Sequence, residues 1–317
     1  MESLLFSLGC VLPLFVLILI GYILRRLGMI NDNFVSVGTK VVFNVSLPVQ
    51  LFVQIASSDL TNVFNPKLIL FSLISTAILI ALAWILIPRF VKGKAKQGAS
   101  IQALFRGNFA ILGVPLAINM FGQEGAAPAS LLLPFIVPFY NAMAVVVLTI
   151  FSPEENASKK IPVKKILKGI ITNPLIIGIV LGIPFALCNV TFPSVVTKCL
   201  NSIANLTTPL ALICLGGQFS FKLAKANLKI SIPITILKLV VIPAIMLSIA
   251  VAMGFRGGDL GAIFVLYSAP TAVASYVMAK NMHSDDDLAG QILVFTTFFS
   301  CFTLFLILFI LRSLQLL

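Results

Sequence analysis

Charge is scarce in this sequence of 317 residues: Asp, Glu, Lys and Arg together make up 10% of it, and His283 is the single histidine. A soluble domain carries about 25% charged residues. Hydrophobic residues reach 59%, and the mean hydropathy is +1.10. These values exclude a soluble globular protein and indicate an all-α integral membrane protein.

Acidic residues are missing from the middle of every apolar segment. All ten lie at segment ends or in loops: Glu2, Asp32, Asp59, Glu124, Glu154, Glu155, Asp259, Asp285, Asp286 and Asp287. A proton relay of the usual kind needs buried acids, and an intramembrane hydrolase needs them or a Ser/His pair. We therefore expect neither a proton relay nor an intramembrane hydrolase, and we predict that the protein is not an enzyme. The five cysteines lack metal-ligand spacing, which predicts no metal site.

Ten apolar segments are long enough to cross a membrane, for which about 20 residues are needed. We predict spans at 4–24, 34–57, 67–88, 99–121, 128–151, 168–189, 194–218, 229–253, 260–281 and 287–315. The connections between them are too short to hold a separate soluble domain.

Basic residues are distributed unevenly between the two sides of these spans. Loops on one side carry fifteen of the 22 Lys and Arg residues, and those on the other side carry four: Lys67, Lys198, Arg256 and Arg312. The positive-inside rule places the basic side in the cytoplasm and both termini outside it. The net charge of +12 therefore reflects topology, and no nucleic-acid partner is expected. The compact length suggests a prokaryote, which predicts the plasma (cell inner) membrane.

One unusual pattern occurs twice within apolar sequence, 161 positions apart. Asn-x-Ser/Thr-x-Pro is found at 44–48 and again at 205–209. Further pairs at this offset are Pro13 with Pro174, Gly21 with Gly182 and Leu51 with Leu212. Polar groups and prolines are costly inside a membrane helix, so their recurrence indicates a duplicated transport unit.

The duplication predicts three regions: a first five-helix repeat at 1–152, a cytoplasmic linker at 153–167 and a second five-helix repeat at 168–317. Because five is an odd number of spans, the second copy would enter the membrane from the opposite side. Such inverted repeats are typical of secondary transporters that alternate between outward and inward access.

The fourth and ninth spans, which are equivalent members of the two repeats, each contain a proline near the middle: Pro115 and Pro270. Proline removes a backbone N–H and disfavours helix in the preceding residue. We predict that both helices break near these prolines and that the freed backbone groups line a cavity. Half-helix N-termini would present positive dipole ends to a carboxylate. A simple proline kink in a packed helix is the alternative.

The run from Asn108 to Gly122, NFAILGVPLAINMFG, resembles the fourth-span signature of the auxin efflux carrier family, which contains plant PIN proteins and bacterial members. The resemblance continues at Asn173-Pro174, at Lys238 with Pro243, at Ala269-Pro270, at Ala279-Lys280-Asn281 and at Asp287-Leu288-Ala289. It covers essentially the whole chain. The long cytoplasmic loop of canal-type plant carriers is absent here, as it is in bacterial relatives.

This resemblance implies a PIN-like, bile acid–sodium symporter-like fold, in which crossed helices 4 and 9 of a transport domain form the site beside a scaffold domain. Asn108 matches the family's substrate-contacting Asn, and Tyr140 matches a site-lining Tyr. Pro115 and Pro270 match the crossover prolines. Members move organic anions: auxin in plants, and small carboxylates such as malate or malonate in bacteria. Phe135 stands where plant carriers have Gln, which argues against auxin itself.

An anion site needs hydrogen-bond donors or positive helix ends. The candidate substrate-binding residues are Asn108, Tyr140, Pro115, Pro270, Thr271, Ser268, Asn44, Asn205 and Arg106. Arg106 would either attract substrate or hold a helix end at the headgroups. Lys238 lies deep in the eighth span and would either bind substrate or dock on carbonyls freed by a broken helix.

A sodium ion is the one candidate cofactor. Its oxygen ligands would come from Ser46, Thr207 and Thr208, together with Asn44, Asn205 and the carbonyls released before Pro48 and Pro209. The alternative role for these polar residues is helix–helix packing, since polar side chains also hold membrane helices together.

These observations predict a secondary active transporter of small organic anions, working by elevator-like alternating access among membrane lipids. By resemblance, spans 1, 2, 6 and 7 would form the scaffold of a homodimer. A sensor or scaffold protein that kept the carrier fold but lost transport is the alternative, because a fold does not dictate its function.

Overall fold

The computed structural model describes residues 2–57, 65–152, 172, 174–188, 190, 192–218 and 227–317. The expected linker at 153–167 lies outside the described residues, as do Asn173 and the loop residues Lys222 and Lys225. The described part of the chain is almost entirely helical. It contains no β-strand, only one isolated bridge between Gly107 and Thr271.

The described helices fall into long rods and shorter segments. In chain order they are α1 Glu2–Arg26, α2 Asp32–Val41, α3 Leu47–Ala56, α4 Pro66–Phe90, α5 Lys94–Phe105, α6 Val114–Gly125, α7 Ala127–Ile150, α8 Pro174–Leu187, α9 Ser194–Gly217, α10 Leu228–Ile236, α11 Ile242–Ala252, α12 Gly257–Ser268, α13 Val273–Asn281 and α14 Asp286–Ser313. Three π-helical turns precede α3, α6 and α11: Val42–Ser46, Phe109–Gly113 and Leu237–Val241.

Among the described residues, seven helical stretches are long and apolar enough to cross a membrane: Glu2–Arg26, Asp32–Val53, Pro66–Phe90, Ala127–Ile150, Ser194–Gly217, Leu228–Ala252 and Asp286–Ser313. The expected spans at 99–121 and 260–281 are each divided into two shorter helices. The one at 168–189 is represented by α8, which begins at Pro174. Large aliphatic side chains are exposed along the outer surface, so the chain is a multi-pass integral membrane protein.

Each π-helical turn is followed, at the second residue of the next helix, by a proline: Pro48, Pro115 or Pro243. The N–H before each proline donates to the carbonyl five residues back instead of four: Leu47 to Val42, Val114 to Phe109 and Ile242 to Leu237. The wider turn accommodates the hydrogen bond that the proline cannot make. Pro209 lies inside α9, where no π-helical turn is found.

The helix break predicted at Pro115 is located elsewhere. Because the π-helical turn absorbs this proline, the helix runs through it, and the chain is unwound earlier, at residues 106–108. The break predicted near Pro270 is confirmed, since residues 269–272 separate α12 from α13. Ala269 has the extended conformation expected of a residue before proline, with a ψ of 140°.

Two helix pairs approach closely at glycines. A Cβ on Gly21 of α1 would stand 2.1 Å from the carbonyl oxygen of Ile213 in α9, and one on Gly182 of α8 would stand 3.0 Å from that of Phe52 in α3. Small residues permit such contact between membrane helices. Helices α1–α3, α8 and α9 thus pack into one group, here called the scaffold group. The other helices are here called the crossing group; α1 also packs against α14 and α6 of that group.

We predict that Gly21→Val destabilises the protein by about 3 kcal/mol or more, because the new side chain would force α1 away from α9. Gly9→Val is the matched control: it lies in the same helix, and a Cβ there meets nothing within 4 Å. Thermal unfolding of both purified variants in detergent measures the difference. Equal melting temperatures for the two would contradict the tight crossing.

Candidate functional site

The two unwound segments cross and pair with each other. The Asn108 N–H donates to the carbonyl oxygen of Pro270 at 2.6 Å, and the Ala272 N–H donates to that of Arg106 at 2.9 Å. Gly107 and Thr271 face each other as an antiparallel bridge between these bonds. Backbone groups that would be stranded in hydrocarbon therefore satisfy one another, and four helix ends meet at one point.

Gly107 and Thr271 make this close crossing possible. A Cβ at Gly107 would stand 3.1 Å from the carbonyl oxygen of Leu266, so a side chain there would press on α12. The Thr271 N–H donates to Thr296 Oγ1 at 3.2 Å, and the Thr271 hydroxyl donates to the carbonyl oxygen of Ala103 at 3.0 Å. The sequence predicts that Thr271 contacts substrate; in the structure its N–H and hydroxyl connect the crossing to α14 and α5.

Lys238 lies behind the crossing. Its side chain is 1% exposed, and a Cβ placed on Gly107 would stand 3.4 Å from its ammonium nitrogen, 3.1 Å from the carbonyl oxygen of Leu266 and 3.6 Å from that of Ala269. Pro270 has no N–H to offer the Leu266 carbonyl four residues back, so that oxygen is left free. A cation at the carbonyl end of a helix is favourable. Of the two roles considered for Lys238, this placement favours docking on freed carbonyls.

On the opposite side of the crossing is a cavity of about 250 Å³. Its walls come from both helix groups. The scaffold group contributes Thr39, Val42, Phe43, Leu175, Ala211, Leu215 and Gln218. The crossing group contributes the segments 106–111 and 272–274, together with Val137, Tyr140 and Val277. The cavity therefore lies at the boundary between the two groups.

The cavity wall carries a set of unused hydrogen-bond donors. Two half-helices begin there, and their first N–H groups, on Phe109, Ala110, Ile111, Val273 and Ala274, form no hydrogen bond within the described residues. Asn108 Nδ2 and the Tyr140 hydroxyl are buried and also lack a hydrogen-bond partner of ordinary geometry. Two helix N-termini and two side chains thus direct donors or positive dipole ends to one place.

Arg106 adds a full positive charge to this cavity. Its side chain is only 7% exposed, which favours the substrate-attracting role over anchoring at the headgroups. The guanidinium donates to Asn141 Oδ1 at 2.5 Å and contacts Met278 Sδ at 2.6 Å. None of the described residues that line the cavity is acidic, and the one ion pair within the described chain joins Arg25 to Asp32 far along the sequence. A buried cation without a counter-ion favours an anionic ligand.

Several predicted site residues lie away from the cavity. Asn44 and Asn205 are exposed, and Asn44 Nδ2 donates to the Lys40 carbonyl of its own helix at 2.9 Å. Residues two apart on a helix do not share a face, so these amides point away from the buried Ser46 and Thr207. Other predicted residues absent from the lining are Pro115, Ser268, Pro270 and Thr208.

The proposed sodium ligands do not assemble into a complete site. Ser46 and Thr207 are buried and their hydroxyls lack hydrogen-bond partners, but Thr208 is only half-buried. With both asparagines directed outward, the two buried hydroxyls and the carbonyls released before Pro48 and Pro209 remain as possible ligands. The sodium ion stays a prediction, and no mechanistic step is assigned to it.

The positioning residues of the cavity were not found from the sequence. Asn141 holds the guanidinium of Arg106, and Met278 packs against it from α13. Asn141 directly follows Tyr140, so its place beside the expected site tyrosine was the one signal from which its role could have been predicted. Thr39 and Gln218 line the scaffold side, and a polar residue near a span end gives no such signal.

Comparison with known sequences identifies the family of this chain. The membrane transport protein family matches residues 6–308. The chain belongs to this family. The resemblance to auxin efflux carriers is thereby confirmed, and the protein is a membrane transporter, not an enzyme.

Relatives of similar length carry the same general description. An uncharacterized transporter of Methanothermobacter thermautotrophicus is 25% identical over 301 residues, covering 94% of this chain and 96% of its own. A Rhizobium meliloti protein named "Putative malonate transporter" is 25% identical over 314 residues, 96% of each chain. The uncharacterized transporter YfdV of Escherichia coli is 25% identical over 283 residues, covering 88% of this chain and 89% of its own.

We predict that Lys238→Met lowers the free energy of unfolding by about 1–3 kcal/mol, because the carbonyls behind the crossing lose their cation. Lys229→Met, at an exposed position in α10, should have little effect. Thermal unfolding in detergent compares the two variants. A Lys238→Met protein as stable as the parent would contradict the docking role.

Proposed function

We propose that this protein is a secondary active transporter of small organic anions, with carboxylates as the substrate class. One observation carries the proposal: a cavity of about 250 Å³ between the helix groups holds a buried arginine and two half-helix N-termini, with no acidic residue among the described residues of its lining. A carboxylate there would accept hydrogen bonds from the free N–H groups of α13 and the Phe109–Gly113 turn, and from Arg106. Asn108 and Tyr140 would supply further donors.

Among carboxylates, we propose short ones such as malonate or malate as the substrates, in line with the name of one relative. Malonate is the substrate named for the Rhizobium meliloti relative. Aliphatic residues on both sides, including Val137, Leu175 and Leu215, would pack against a short carbon chain. Water exclusion by these residues would strengthen the charged hydrogen bonds.

The architecture we propose has ten membrane helices in two inverted repeats, 1–152 and 168–317, joined by a cytoplasmic linker. Two symmetric contacts support it. Gly21 packs on Ile213, and Gly182 packs on Phe52; both members of the second contact are related to the first by the same offset of 161. Broken helices α5–α6 and α12–α13 would each count as one span, the fourth and the ninth.

In the proposed mechanism the crossing group moves past the scaffold group, by elevator-like or rocking motion. A site on the boundary between the groups is suited to alternate exposure, since movement of one wall opens it to either side. The scaffold groups of two copies would form a homodimer. We place the protein in the plasma membrane with both termini extracytoplasmic, following the distribution of basic residues.

Uptake into proteoliposomes tests this function. Labelled malonate, malate, lactate and indole-3-acetate would be offered with and without a sodium gradient, beside Asn108→Ala protein. We expect saturable uptake of at least one short carboxylate, lost in the variant; the sodium comparison identifies the coupling ion. Binding of an anion without flux under any gradient would favour the alternative, a transport-dead sensor with a carrier fold.

We predict that Tyr140→Phe weakens carboxylate binding by roughly 3- to 10-fold, because one hydrogen bond contributes about 0.5–1.5 kcal/mol. Tyr276→Phe removes an equivalent hydroxyl from a residue outside the cavity lining, and should bind as the parent does. Equilibrium binding of labelled malonate to both variants gives the comparison. Identical affinities would remove Tyr140 from the site.

We predict that Arg106→Gln reduces affinity more, by roughly 10- to 100-fold, because it removes a charge-assisted interaction of about 1.5–3 kcal/mol. Arg89→Gln, an exposed change at the end of α4, is the charge-matched control. The same binding measurement applies, after melting curves have established that both variants fold. Unchanged affinity in folded Arg106→Gln would contradict an anionic substrate at this site.

A further inference from the structure

A second recess lies on the outer surface, and its lining differs chemically from that of the cavity described above. It is an apolar groove of about 410 Å³ between α11, with the residues just before it, and α14. Its lining includes Val240, Leu306, Ile310 and Leu314, which are 46–63% exposed. No element within the described residues covers it.

The length of this groove matches one membrane leaflet. On the α11 side it runs from Leu239 to Val251, and on the α14 side from Thr303 to Leu314. At about 1.5 Å per residue this is roughly 17 Å, whereas half of a hydrocarbon core is about 15 Å. One acyl chain extending from the headgroup level toward the bilayer centre would therefore fill it.

Two cations converge where the groove ends. Arg256 donates from one guanidinium nitrogen to the carbonyl oxygens of Val251 and Phe255, at 2.9 and 2.7 Å. Lys67 donates to the carbonyl oxygen of Met253 at 2.6 Å and lies 5.0 Å above the Phe255 ring. Both side chains are exposed, and each has donors left over after these bonds.

The surrounding charges leave this end of the groove positive. Asp259 is the nearby acid in the first turn of α12, and its carboxylate accepts from Asn65 Nδ2 at 2.7 Å without forming an ion pair with either cation. Lys67 and Arg256 are also two of only four basic residues expected on this side of the membrane. Their convergence is therefore not explained by the general placement of basic residues.

We propose that this groove binds an anionic phospholipid, with one acyl chain between α11 and α14 and the phosphate on Arg256 and Lys67. Arginine binds phosphate oxygens through a pair of parallel hydrogen bonds, and basic residues at the membrane surface attract anionic headgroups. The lipid would hold α11 against α14 on the outer face of the crossing group.

The test is native mass spectrometry of the full-length protein in detergent, titrated with phosphatidylglycerol or phosphatidylcholine. We expect phosphatidylglycerol to bind more tightly than phosphatidylcholine. Arg256→Gln and Lys67→Gln should each weaken phosphatidylglycerol roughly 5-fold, the effect of about 1 kcal/mol per basic residue. Lys198→Gln is the matched control, because Lys198 is an exposed residue of α9, expected on the same side of the membrane, that does not line the groove.

A second pair of variants tests the acyl-chain position without changing charge. Ala244→Phe would fill the groove, whereas Ile245→Phe alters the adjacent exposed residue, which does not line it. We expect lipid affinity to fall in the first variant only. Equal binding of the two lipids, or no effect of Ala244→Phe, would overturn the proposal. Loss of a dimer in Ala244→Phe would also overturn it, by showing that a second copy covers the groove.

Discussion

The pairing of two unwound segments is the interaction on which the site depends. Without the bonds from Asn108 to Pro270 and from Ala272 to Arg106, broken helices would leave backbone N–H and C=O groups unpaired in the membrane interior. Each such group costs several kcal/mol there. Gly107 allows the approach, and Thr271 fastens it to neighbouring helices. Each unwound segment is therefore stable only because the other lies beside it and pairs with its backbone groups.

This crossing also separates charge. The starts of two half-helices, with their free N–H groups, line the cavity beside Arg106. The carbonyl ends of the other two half-helices point to the opposite side, where Thr271 donates to Ala103 and the ammonium of Lys238 lies close to Gly107. The protein thus satisfies its own negative helix ends and leaves its positive ends for a ligand.

The position of the cavity, between the scaffold group and the crossing group, connects this chemistry to transport. Glycine contacts lock α1 to α9 and α3 to α8 within the scaffold group. The buried Tyr267 hydroxyl, bonded to Ser75 at 2.5 Å and to Thr76 at 3.1 Å, joins α12 to α4 within the crossing group. The cavity lies between the groups, which also touch where α1 packs on α14 and where Cys10 of α1 and Asn119 of α6 form hydrogen bonds. Such an arrangement suits movement of one group past the other.

Much of this could be predicted from local sequence properties. Apolar segment lengths identified the membrane class, and the chemistry of proline identified the break near Pro270. The break at residues 106–108 could not be predicted, because it depends on pairing with a segment distant in the sequence. The break predicted at Pro115 was wrong for a local reason: the π-helical turn before this proline lets the helix continue although the proline N–H is missing.

The direction in which individual side chains point was the other feature that could not be predicted from the sequence. Asn44 and Asn205 belong to the repeated pattern, yet both are exposed, whereas Ser46 and Thr207 of the same pattern are buried. Which face of a helix turns inward is decided by its neighbours. The depth of Arg106 likewise depends on Asn141 and Met278, which hold the guanidinium inside the protein.

The most direct test of the central claim is an experimental structure of the protein with malonate bound. We expect a carboxylate in the cavity, within hydrogen-bond distance of the first N–H groups of α13 and of the Phe109–Gly113 turn, and beside the guanidinium of Arg106. Malonate bound elsewhere, with this cavity holding only water while transport persists, would contradict the account.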